Sequence, residues 1–242
     1  MTDFSKHPSD IAMAAGKYLA QLEIDDEAKQ LTDGILDLFI EALKGNEDAY
    51  KENDDGEFVL IANWNDYWGG AIDNFLDYWL QRKFMGPPEF TTEAPRVLRG
   101  FVEWSYAEKY FDAEHYEDYL LALPENKTEE LERIQKLGDL FYRLHSPNPG
   151  AWARGEKDNV KSIDMAKRPE KIEEGYMIVK KIADESAKFR FDRKILGPVM
   201  LTKGITELLR VGDVVNLTLG CYGKNWKVLE TGNVYPEGTF EG

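Results

Sequence analysis

Glu114, His115 and Asp118 are side chains with metal-ligand chemistry in one short stretch, flanked by Asp112 and Glu117. On a helix Glu114 and Asp118 share a face at i, i+4, with His115 beside them. Carboxylates and an imidazole in that pattern suit a hard cation or a first-row transition metal. No second His or Cys stands at ligand spacing, and acidic residues favour a helix start. The spacing therefore predicts a solvated acidic first turn and no cofactor. An enzyme built on an unrecognised acidic metal site stays open as an alternative. The single thiol, Cys221, would need His145 from a distant part of the chain as its base. Its place on the apolar side of an alternating strand predicts a small buried hydrophobe instead. The chain has no G-x-x-x-x-G-K-[ST] loop, no strand-borne G-x-G-x-x-G and no G-x-S-x-G elbow.

Binding chemistry is better represented than catalysis. Lys188, Arg190, Arg193 and Lys194 cluster around Phe189 and Phe191, and Lys224 and Lys227 flank Trp226. Strand alternation sends Lys188 and Arg190 to one face and Phe189 and Phe191 to the other. Such a basic face on a small barrel can track a phosphate backbone. Trp226, in a hairpin expected to face this cluster, adds an aromatic surface. A second aromatic set, Trp64, Trp68, Phe75 and Trp79, recurs at helical spacing. That period predicts a core face, with base stacking as the alternative.

The elements that must position these residues fall into two halves. The chain has 242 residues and a net charge of −15. Residues 151–242 carry 16 Lys+Arg and 14 Asp+Glu, a net of +2, which leaves 14 and 31 in residues 1–150, a net of −17. The acidic half should repel a nucleic-acid backbone, so any polyanion belongs on the other half. One cysteine, no basic-then-apolar leader at the N-terminus and no long apolar run predict a cytoplasmic protein with no membrane span.

Apolar residues recur at helical spacing over 9–22, 27–44, 63–84, from about 92–95 onward, 112–123 and 127–145. The stretch 45–56 is polar and is expected to be a surface loop. Gly69-Gly70 predicts a kink or a close helix approach. From residue 175 the pattern alternates, with strands expected near 176–182, 188–191, 198–202, 213–221 and 226–231. The expected fold class is α+β: an all-helical N-terminal domain (1–145), a linker or extended arm (146–172), and a small C-terminal β-barrel (173–242), SH3-like or OB-like.

Residues 73–119 carry Asp-Asn-Phe-Leu-Asp-Tyr-Trp-Leu-Gln-Arg-Lys-Phe, then Ala-Pro-Arg-Val-Leu-Arg-Gly-Phe-Val-Glu-Trp-Ser-Tyr. This helix pattern, with its Leu, Phe and Trp placement, resembles the helical core-binding domain of tyrosine recombinases. The resemblance covers about 50 residues and implies a helical scaffold of the kind that clamps DNA. Recombinase chemistry needs His-x-x-Arg, whereas His7, His115 and His145 are followed three residues on by Asp10, Asp118 and Asn148. The resulting expectation is a non-enzymatic binding or regulatory protein, with the barrel contacting nucleic acid or a protein tail. A protein-interaction adaptor acting through the acidic, aromatic-rich helices is the alternative.

Overall fold

The computed structural model describes residues 10–45, 50–52, 58–60, 67, 69–84, 86–145 and 168–240. The protein is mixed α+β, with helices through its N-terminal part and a five-stranded sheet at its C-terminus. It divides into two compact units, Met1–Leu131 and Glu132–Gly242. Among the described residues no helix is long and apolar enough to cross a membrane.

The first unit begins with α1 (Asp10–Gln21) and α2 (Asp26–Lys44). Asp25 caps α2 by accepting the Ala28 N–H at 2.8 Å, and Asp26 and Glu27 sit against the positive end of the helix dipole. A short antiparallel hairpin follows, β1 (Tyr50–Glu52) with β2 (Phe58–Leu60). The N-terminal part is thus not all-helical. The polar stretch expected to be a loop holds a strand, because backbone pairing does not require an apolar face.

The next helix is made of α3 (Gly69–Asp73), a π-helical segment (Asn74–Trp79) and α4 (Leu80–Lys83). Leu80 N–H donates to the Phe75 carbonyl, the i to i−5 bond that defines the wider turn. Gly69 starts it because no Cβ fits there: one would stand 2.5 Å from the Asp118 carbonyl oxygen. α5 (Pro88–Ala107) starts earlier than the sequence reading placed it. Pro88 occupies the first turn, where a missing N–H costs nothing, and Pro95 lies inside the helix. α6 (Ala113–Leu121) and the start of α7 (Lys127–His145) complete the unit. Leu36, Phe39, Phe75, Leu98, Phe101, Tyr119 and Leu131 form its core.

The division falls within α7. Leu131 belongs to the first core, while Ile134, Leu137 and Phe141 belong to the second and are at most 1% exposed. The sequence reading ended the helical domain at residue 145. The later turns of α7 instead pack on the sheet that follows.

That sheet comprises β3 (Lys171–Ala183), β4 (Ser186–Phe191), β5 (Lys194–Met200), β6 (Val214–Tyr222) and β7 (Asn225–Tyr235), with α8 (Lys203–Leu208) between β5 and β6. It closes on itself in the order β3-β4-β5-β7-β6, with β3 also paired to β6. Every pairing is antiparallel except that of β5 with β7, which sets Val199 beside Trp226. β3 is long because it serves two neighbours, β6 along its whole first part and β4 beyond residue 178. Gly175, at φ 145°, lies under the Phe191 ring, where a Cβ would approach within 2.8 Å of a ring carbon. Met177, Val179, Phe189, Val199, Val215, Leu217 and Leu219 point inward.

Arg133, on α7, fastens the closed sheet. Its Nη1 donates to Asp213 Oδ2 at 2.7 Å and to the Leu208 carbonyl at 3.0 Å, and its Nη2 donates to Asp213 Oδ1 at 2.8 Å. The Arg210 N–H also donates to Asp213 Oδ2 at 2.7 Å. Asp213 is 1% exposed and Arg133 8%, so the pair is a buried fork whose charge is met by hydrogen bonds.

Candidate functional site

β4 carries the chemistry that the sequence singled out. Ala187 and Phe189 are buried, so Lys188 and Arg190, which alternate with them, stand exposed on the outer face. Lys188 lies directly opposite Lys181 on β3. Arg190 lies between Ile178 on β3 and Ile195 on β5, and Ile195 is 58% exposed. The outer face of β3, β4 and β5 is therefore a row of cations interleaved with exposed apolar side chains. Met200, 44% exposed, extends it along β5.

Sequence reasoning missed Lys181. The pairing of β3 with β4 shifts between Val179 and Lys181, and the extra residue Lys180 is accommodated there as a bulge. Two consecutive lysines after Met177 and Val179 break the alternation, and that break was the available signal. Like charges set directly opposite destabilise a sheet.

The remaining basic candidates are not all part of this row. Arg193 is exposed in the two-residue turn joining β4 to β5. Lys194 Nζ reaches Glu173 Oε1 at 3.1 Å, and Lys171 Nζ reaches the same oxygen at 2.6 Å. Hydrogen bonds from Lys171 and Lys194 hold the Glu173 carboxyl below the usual range. Lys194 thus has an internal partner. Lys224 is exposed in the β6–β7 turn, and Lys227 lies over the Tyr222 ring at 5.5 Å. Trp226 is half-buried against the core of the closed sheet and pairs with both Val199 and Cys221. The hairpin expected to face β4 instead continues the same sheet on the far side of β5.

The metal candidates are held apart by other duties. Asp112 caps α6, accepting the His115 N–H at 3.0 Å, and lies 2.8 Å from His115 Nδ1. The His115 hydrogen bonds lower the Asp112 pKa. Asp118 Oδ2 accepts the Gly69 N–H and so joins α6 to α3. Glu114 is exposed. Among the described residues no group of three or more His, Cys, Asp or Glu is arranged to hold a metal ion.

Cys221 is only partly buried, with Sγ 3.5 Å from the Gly223 carbonyl, so the fully buried position expected for it is not observed. The side chain of His145 lies outside the described residues, as do Trp64 and Trp68. Phe75 is 1% exposed and packs 5.8 Å from Trp79, which itself lies against the first core. The described part of the aromatic stripe is core. In comparisons with family models, curated proteins and solved structures, nothing matches this chain.

Proposed function

We propose that the C-terminal unit is an OB-like barrel that binds single-stranded nucleic acid across the outer face of β4 and β5. The strand order supports OB-like over SH3-like. The third and fifth strands pair in parallel, and a short helix joins the third to the fourth. In such barrels the second and third strands, with the loops after the first and fourth, form the binding surface. Here those are β4, β5 and the turns at 184–185 and 223–224.

The observation that carries the proposal is the opposed pair Lys181 and Lys188, continued by Arg190 on one exposed face. A polyanion relieves the repulsion within that pair. The exposed Ile195 and Met200 offer contact to unstacked bases, which a duplex keeps inside. The likeness of residues 73–119 to recombinase core-binding helices enters only as a scaffold, without strand-cleaving chemistry.

The test is fluorescence anisotropy of the full chain with single-stranded and duplex oligonucleotides at two salt concentrations. Single strands are expected to bind more tightly, with affinity falling as salt rises. Lys181→Ala should flatten the salt slope by about one and weaken binding to all sequences alike. The same substitution should leave stability to urea unchanged or raise it by up to about 1 kcal/mol, because it removes a like-charge pair. Binding that ignores salt, or no binding to either oligonucleotide, would overturn the proposal.

A further inference from the structure

The π-helical segment of the first unit holds a charge arrangement that is out of balance. Lys127 is 5% exposed, and its Nζ lies 2.8 Å from Asp77 Oδ2 and 3.4 Å from Asp73 Oδ1. One ammonium therefore serves two carboxylates. Asp77 Oδ1 is buried and has no hydrogen-bond partner among the described residues. One turn further on, Gln81 Nε2 is buried and likewise has no partner among the described residues. A buried carboxylate oxygen with no donor is costly while ionised and much less so once protonated.

We propose that Asp77 is a proton-binding site, and that its charge state sets how firmly the π-helical segment is held against the first turn of α7. The charged groups acting on Asp77 are Lys127 and Glu130 of α7 and Asp73 of α3. Asp118 of α6 acts on Asp73 in turn. α2 contributes Phe39 to the same segment, edge-on to Phe75 at 5.3 Å.

The two partners respond in opposite senses to one contact. Burial alone would lower Lys127, but Asp77 and Asp73 outweigh it and its pKa is raised. Burial pushes Asp77 up to about 6, against the pull of Lys127 and with the help of Asp73 and Glu130. The ammonium stays charged while one carboxylate moves towards the neutral acid, as expected when two acids share one base. The folded pKa of Asp77 lies above its unfolded value. Its contribution therefore favours folding in acid and is lost as pH rises through about 6.

The experiment is a carboxyl-carbon NMR titration of the full chain, paired with amide hydrogen exchange across residues 74–80. Asp77 is expected to titrate near 6, with protection of Phe75–Leu80 rising several-fold as it is protonated, after correction for intrinsic exchange rates. Asp73→Asn removes a neighbouring negative charge and should move the Asp77 midpoint down. Lys127→Met removes the positive charge and should move it up. If Lys127→Met does not fold, Asp73→Asn still decides the matter. An Asp77 midpoint in the ordinary aspartate range overturns the proposal. So does an upward shift in Asp73→Asn, or protection that does not follow the titration.

Discussion

Asp213 shows how much one residue can hold when its charge is fully met. It accepts both arms of the Arg133 guanidinium and the Arg210 N–H while almost wholly buried. Removing one member of such a pair leaves the other charge buried and unmatched, which typically costs about 3–5 kcal/mol. Asp213→Ala is therefore expected to destabilise the C-terminal unit by roughly that amount, and urea unfolding followed by near-UV circular dichroism measures it. A loss under about 1 kcal/mol would mean that the fork contributes no more than a surface pair. The same contrast separates the acidic residues of α6. Asp112 and Asp118 serve backbone N–H groups: Asp112, at the start of the 112–123 pattern, reads in sequence as a helix cap, whereas the bond from the Gly69 N–H to Asp118 joins residues far apart in the chain and leaves no local signal.

Elements show where the sequence was legible and where it was not. β4 and β6 were legible because they alternate: Ala187 and Phe189 in, Lys188 and Arg190 out. The faces of α2 and α7 were legible from their 3.6-residue period. The β1–β2 hairpin was not, because β1 lies in the polar stretch 45–56 and strands of three residues are too short to show an alternation. α8 was missed because six residues are too few to show a period, although Thr202 does cap it through the Ile205 N–H. The division within α7 was hidden for a different reason. Leu131, Ile134, Leu137 and Phe141 form one continuous apolar stripe, and a stripe does not say which core each of its turns joins. That division makes a direct prediction. Ile134, Leu137 and Phe141 each bury a large side chain worth about 1.5–3 kcal/mol, and Arg133 adds its fork to Asp213. A fragment of residues 132–242 is expected to unfold cooperatively, whereas residues 173–242 alone should bind a hydrophobic dye and lack a sharp thermal transition. A sharp transition in the shorter fragment would show that α7 is dispensable to the sheet.

Across the whole molecule the compact units sharpen the charge contrast. Residues 1–131 carry 11 Lys+Arg and 29 Asp+Glu, a net of −18, and residues 132–242 carry 19 and 16, a net of +3. Self-repulsion in the first unit destabilises its compact state, and salt screens that repulsion within a Debye length of about 8–10 Å. Added salt also displaces a polyanion from the basic face of the second unit. The two effects act in opposite directions on one protein in one buffer. Raising sodium chloride from 50 to 200 mM should therefore raise the urea midpoint of the first unit while weakening oligonucleotide binding. The readouts are unfolding in urea, which is uncharged and leaves the ionic strength alone, and anisotropy on the same preparation. A urea midpoint that falls with salt would mean that attractive ion pairs such as Lys127 with Asp73 and Asp77 outweigh the repulsion among the surface carboxylates, and that the net charge of the unit is not what limits its stability.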